Sequence, residues 1–158
     1  MTMKLKAFAK INLSLHVFGQ RPDGYHALES VMQSVSLCDY INITPAKAGI
    51  TLTCSDSRVP QGEGNIAYKA AELFLRTQNV ERGALNAGFN IHIEKHIHMA
   101  AGLAGGSADA AAVLFGLNQM MKDEGRGTSP STEHGVKDEG LVSKDELFKL
   151  GAEVGSDV

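Results

Sequence analysis

The chain has 158 residues, with 15 Lys and Arg against 18 Asp and Glu, a net charge of −3 and 43% hydrophobic residues. That is enough for one modest domain around one core. The lack of a basic surplus argues against nucleic acid as the ligand, and no apolar run approaches the roughly 20 residues of a membrane span. A phosphate-rich ligand stays open, because backbone N–H groups bind phosphate without net positive charge. Cys38 and Cys54 have the spacing of neither a metal knot nor a disulfide framework. With no signal-peptide core at the N-terminus, the cytoplasm is the expected compartment.

In residues 4–18, Leu5, Ala7, Ala9, Ile11, Leu13, Leu15 and Val17 share one parity. That period of two predicts one long strand or two abutting ones. RPDG at 21–24 is turn chemistry. β-Branched and aromatic residues predict a strand pair over 30–44, and ITLTC predicts a short strand at 50–54. A helix is predicted over 65–79, with Asn65 as its N-cap and Ile66, Ala70, Leu73 and Phe74 on one face. GFNIHIEKHIH at 88–98 reads as a strand, and SADAAAVLFGLNQMM at 107–121 as a helix. Residues 122–140 are polar and rich in Gly and Ser, and read as a flexible loop. Ser143 and Glu146 form a capping box that opens a helix over 143–155.

Between the 88–98 strand and the following helix lies Ala101-Gly102-Leu103-Ala104-Gly105-Gly106-Ser107-Ala108-Asp109. The glycines allow a sharp turn and close approach to a ligand. The helix N-terminus behind them favours an anion, and the Ser107 hydroxyl can meet a phosphate oxygen or a magnesium ion. The bland alternative is a tight turn that binds nothing. The segment is neither a Walker A loop, since no Gly-Lys-Ser/Thr ends it, nor a dinucleotide fingerprint, since its glycine spacing differs. His92, Glu94, His96 and His98 share one strand face, which reads as a solvent-facing surface. Four ligands along one strand span too far for one ion. Lys10 interrupts an apolar strand, on the parity of Asn12.

AKINLSLHVFGQRPDGYHALESVMQSVSLCDYI at 9–41 closely resembles the opening of the diphosphocytidyl-methylerythritol kinases. HMAAGLAGGSADAA at 98–111 is similar to the phosphate loop of the wider GHMP kinases, GEGNIAYKAAELF at 62–74 to their Asn-initiated helix, and GSDV at 155–158 to the start of their catalytic-aspartate segment. AKINL and DGYH are the specific part. Two departures stand out: His98 replaces the usual Pro, and 122–140 looks like an insertion. The chain stops at Val158, so the resemblance implies that a C-terminal domain is absent and that the chain alone is inactive.

The resemblance implies an α+β fold, a two-layer sheet plus helices with a left-handed β-α-β crossover. It implies ATP-dependent phosphorylation of a hydroxyl on a small cytidine diphosphate substrate, with Mg2+. Asp157 would orient or deprotonate the attacking hydroxyl, and Lys10 would keep that carboxylate ionised and stabilise the transferring phosphoryl group. Asn12 would position the substrate, Tyr25 would stack on cytosine and His26 would bond its edge. Residues Ala101 to Ala108 would cradle the ATP phosphates. Another GHMP kinase, of the homoserine or mevalonate type, and a non-enzymatic module of the same fold are the rival readings. The oligomeric state and the magnesium ligands are not legible.

Overall fold

The alternating N-terminal residues form one continuous strand, β1 (Met3–Gln20), paired antiparallel with β2 (His26–Ala46). The computed structural model describes residues 2–22, 24–82, 88–126 and 142–154. Where the sequence suggested a strand pair over 30–44 there is a single 21-residue strand. The reason is an irregularity: between Phe8↔Cys38 and Lys10↔Ser34, Val35, Ser36 and Leu37 stand against Ala9 alone. Such a bulge bends a ribbon without ending it. Two further register shifts, at Asn12/Ser14 and Val17/Gln20, continue the bend.

β3 (Gly49–Cys54) runs parallel to β4 (Gly88–Glu94), and β4 pairs antiparallel with β2, giving a mixed sheet in the order β1-β2-β4-β3. α1 (Ile66–Arg82) follows β3 and precedes β4, as expected of a parallel crossover unit. A short 3-10 turn, Gly62–Gly64, leads into it. Asn65 caps α1 as its residue type predicts: its Oδ1 accepts the Ala67 N–H at 2.9 Å, and its Nδ2 donates to Pro60 O. α2 (Gly105–Arg126) and α1 pack on one face of the sheet, and α3 (Lys144–Val154) packs on both helices. The Ser143 hydroxyl accepts from Glu146 N while Glu146 accepts from Ser143 N, completing the capping box.

The core is the helix-facing side of the sheet. Ile41, Ile43, Ile91 and Ile93 meet Phe74, Val113 and Leu117, all fully buried. This is an α+β arrangement of four strands and three helices. Beyond Lys10 the β1–β2 ribbon leaves that core: Leu13, Val17, Leu28 and Met32 are each 60% or more exposed. Among the described residues, no helix is long and apolar enough to cross a membrane.

The boundaries of β4 and α2 differ from the sequence reading for identifiable reasons. β4 ends at Glu94, short of 98, because His96 N and Ile97 N donate to the Asp39 carboxylate and leave the ladder. α2 begins two residues earlier than expected, at the glycines themselves. It also continues to Arg126, into the first residues of the segment read as a loop. Lys122 and Glu124 are good helix formers, and local propensity carries the helix on. The rest of that loop lies outside the described residues.

Gly88 opens β4 against a backbone. A Cβ there would stand 2.4 Å from Ala48 C and 2.7 Å from its Cα. Gly116 on α2 is equally crowded, but by the flexible ends of Leu5 and Ile43, at 2.5 and 2.8 Å. Gly88→Ala is therefore expected to lose about 1–3 kcal/mol. Gly116→Ala should stay within about 1 kcal/mol of the parent, because gained helix propensity offsets side-chain adjustment. Urea denaturation of the two variants checks this; equal losses would show that backbone crowding at Gly88 is not what matters.

Candidate functional site

The loop that joins β4 to α2 has a strained backbone. Ala100 and Ala104 have φ of 56° and 57°, and Gly102 has 72°. An L-residue in the left-handed region costs about 1–2 kcal/mol, so two alanines there mark a conformation imposed by the surroundings. Ala104 O accepts the Ala108 N–H at 2.9 Å and so starts α2. The amides of Gly105, Gly106 and Ser107 open the helix, where the ladder supplies no partner, and Ala104 has no side chain to cap them. Gly105 is also required sterically: a Cβ would stand 2.8 Å from Ile97 Cγ2 and 3.0 Å from Lys95 Nζ.

Gly105, Gly106 and Ser107 line a cleft of about 510 Å³. The loop and the first turn of α2 form its floor, from His98 to Ser107. Val59, Pro60, Asn65 and Ile66 form one wall, and Lys10 borders it from β1. The cleft thus brings the start of a helix, where backbone N–H groups favour an anion, beside the apolar Val59, Pro60 and Ile66.

Lys10 was a weak candidate by residue type alone, and the bend in the ribbon brings it to the cleft. Its backbone N–H donates to Leu103 O at 3.1 Å, tying β1 to the glycine loop. Its Nζ donates to Asn12 Oδ1 at 3.3 Å, and Ser30 Oγ donates to the same oxygen at 3.2 Å. Lys10 and the loop residues Ala101 to Ser107 therefore line one cleft, whereas Ala108 does not line it and Asn12 is joined to it only through Lys10 Nζ. Tyr25 and His26 do not belong to it. They sit where β1 turns into β2, with Tyr25 62% exposed, and neither lines the cleft. Asp157 lies outside the described residues.

A buried charge cluster beside the loop went unpredicted, and two of its members, Lys95 and Asp109, line the cleft. Lys95 Nζ donates to Asp39 Oδ2 at 2.5 Å and to Asp109 Oδ2 at 2.8 Å, with side-chain exposures of 5%, 0% and 4% for Lys95, Asp39 and Asp109. Burial alone would lower the Lys95 pKa, but its bonds to Asp109 and Asp39 outweigh that and raise it. Burial pushes the Asp109 carboxyl up to about 7, against the opposing pull of Lys95. One ammonium cannot fully neutralise two buried carboxylates, and Asp39, with two backbone N–H donors, is the better-solvated anion. A signal for the cluster was present: Lys95 has the inward parity of Ile91, Ile93 and Ile97, where a lysine needs a buried partner.

The outward histidines take ordinary surface partners: His92 Nδ1 meets Thr53 Oγ1 at 2.8 Å, and His96 Nε2 meets Glu94 at 3.1 Å. No cluster of three or more His, Cys, Asp or Glu side chains suited to a metal occurs among the described residues.

Residues 65–158, more than half of the chain, match the family model described as the GHMP kinases N terminal domain. The chain belongs to the GHMP kinase family. Curated relatives of this GHMP kinase chain include proteins named 4-diphosphocytidyl-2-C-methyl-D-erythritol kinase. That of Clostridium acetobutylicum is 41% identical over 156 residues, covering 99% of this chain and 48% of that protein. That of Brevibacillus brevis is 46% identical over 159 residues, covering 100% of this chain and 47% of that protein. The crystal structure of a 4-(cytidine 5'-diphospho)-2C-methyl-D-erythritol kinase superposes with a TM-score of 0.69 at 33% identity, covering 99% of this chain and 47% of that one. Homoserine kinase from Cytophaga hutchinsonii, at 17% identity and a TM-score of 0.62, shares the fold. The GHMP kinase chain described here spans about half the length of the curated relatives it matches.

Proposed function

We propose that this chain supplies the ATP-binding half of a kinase that phosphorylates a hydroxyl of 4-diphosphocytidyl-2-C-methyl-D-erythritol, a step of non-mevalonate isoprenoid precursor synthesis. The observation that carries the reading is the meeting of the amide-floored glycine loop with Lys10 across one cleft. Phosphoryl transfer needs positioning and charge stabilisation rather than covalent help from the protein. Amides at a helix start and the Lys10 ammonium are groups of the kind that supply these. The names of the curated relatives and the AKINL and DGYH segments favour this substrate over those of homoserine or mevalonate kinases. The likeness to homoserine kinase, at 17% identity, speaks to fold alone.

In this reading, Ala101 to Ala108 hold the phosphates, and the wall of Val59, Pro60 and Ile66 takes the adenine. Lys10 stabilises the transferring group, and Asn12 orients the acceptor. Asp157 is the carboxylate that would receive or orient the hydroxyl. Tyr25 and His26 take the cytosine at the turn between β1 and β2. Mg2+ fits a site with few protein ligands, because this ion is commonly held by substrate phosphates, waters and one or two side chains. Ser107, half-buried in the first turn of α2, is the side chain that would reach it. The cytoplasm is the proposed compartment.

Titrating the chain with MgATP while following amide resonances tests the nucleotide assignment. Shifts at residues 102–108 and along the Val59–Ile66 wall are expected, with weak affinity. Shifts elsewhere that spare 102–108 would remove the loop from the site.

A further inference from the structure

We propose that Asp39, Lys95 and Asp109 form a clamp that sets the phosphate loop by tying its two ends together, making them positioning residues for nucleotide phosphate binding. The function of the clamp rests on the reading of the loop given above, whereas its mechanical role does not.

Both ends of the loop converge on this cluster. On the incoming side, Asp39 Oδ1 accepts His96 N at 2.6 Å and Ile97 N at 2.8 Å, fixing the backbone just before the loop begins. On the outgoing side, Asp109 stands in the first turns of α2 and accepts from Lys95 Nζ. Lys95 links the two carboxylates, and Ser55 Oγ at the end of β3 accepts its backbone N–H at 2.8 Å. The Lys95 ammonium lies close to Gly105, 3.0 Å from where a Cβ would stand, and both residues line the cleft.

Between these anchors, the loop's own backbone bonds to its surroundings are Lys10 N–H to Leu103 O and Ala108 N–H to Ala104 O. Two alanines with positive φ cannot hold that shape by local preference. A segment of this kind persists when its ends are over-determined. Three nearly solvent-free charged groups with short, directional bonds provide that constraint more sharply than apolar packing, which tolerates sliding. Asp109 also keeps one buried oxygen, Oδ1, without a hydrogen-bond partner. That cost is borne while the other oxygen holds Lys95.

The test is amide hydrogen exchange on the ligand-free chain, combined with nucleotide titration. Asp109→Ala leaves Lys95 paired with Asp39, so the buried charges still cancel, and alanine suits the helix. Exchange at the amides of Lys10 and Ala108 should accelerate at least tenfold, while Ile91 and Ile93 in β4 keep their protection. Asp109→Asn retains an acceptor for Lys95 and should restore protection at both loop reporters. In titrations, Asp109→Ala should weaken ATP at least tenfold and leave adenosine within twofold.

Unchanged exchange at Lys10 and Ala108 in Asp109→Ala would overturn the clamp. So would equal acceleration throughout β4, which would mark a merely structural role. Loss of loop protection in Asp109→Asn would overturn it as well, and that variant decides if the alanine form does not fold. If the exchange pattern is as expected but the parent chain binds neither ATP nor adenosine, the clamp stands and the nucleotide reading of the cleft fails.

Discussion

Lys10→Met is expected to lower phosphoryl transfer by about two to four orders of magnitude while ATP affinity changes only a few-fold. Methionine keeps the unbranched stem and removes the ammonium. The Lys10 backbone bond to Leu103 O survives the substitution, so the loop keeps its tie to β1. On the proposed function, what is lost is the cation assigned to the transferring group, where charge shifts between ground and transition state. Such an interaction acts on turnover rather than on binding. Asp157→Asn should produce a loss of similar size, and the double variant should be little worse than either single one, since groups that act as a unit are not additive. Steady-state kinetics on a form carried to the full length of its relatives supplies the measurement. Near-normal turnover in Lys10→Met would remove Lys10 from the chemistry, even with every contact of the loop intact.

Asp39→Ala should be the most damaging single substitution for stability, at about 3–5 kcal/mol. The side chain is fully buried and accepts three hydrogen bonds, from Lys95 Nζ, His96 N and Ile97 N. Truncation strips two buried amides of their acceptor and leaves the Lys95–Asp109 bond as the ammonium's remaining charge pairing. Against a total stability of about 5–15 kcal/mol for a domain, a loss of that size unfolds much of the population on modest heating. Asp39→Asn should lose less, because its amide oxygen can still accept from His96 and Ile97. Thermal or urea denaturation separates the two. An Asp39→Ala variant within about 1 kcal/mol of the parent would mean that the cluster contributes little.

Much of the fold could be read locally. Asn65 and Ser143–Glu146 marked helix starts because a cap is a short-range bond between a side chain and the next turn. The glycine loop and its helix were legible for the same reason, since strand, tight turn and apolar periodicity all lie within about 40 residues in this numbering. The length of β2 was not legible, because the bulge at Val35–Leu37 sets three residues against Ala9 alone and interrupts the regular pairing, which imitates a break between two strands. The Asp39–Lys95–Asp109 cluster was missed because its members are separated by 56 and 14 residues and meet only in the folded sheet. Lys95 carried its own clue in its inward parity, but the outward histidines beside it drew attention first. Lys10 gained weight through resemblance to a family, and its place beside the loop depends on a bend that no local pattern announces.

The β1–β2 ribbon also governs how the purified chain handles in solution. β1 is an edge strand, and past Lys10 the ribbon bears Leu13, Leu15, Val17, Phe18, Leu28, Val31 and Met32 with about half or more of each side chain in water. An exposed strand edge with apolar side chains is a template for pairing with a second copy. A net charge of −3 offers little long-range repulsion, and physiological salt screens it within about 8 Å. Concentrating the chain, or raising the salt, is therefore expected to favour ribbon-to-ribbon adhesion, which light scattering would register. Charged residues placed at Val17 and Leu28, cross-strand neighbours far from the cleft, are the positions from which its colloidal behaviour can be adjusted without touching the loop.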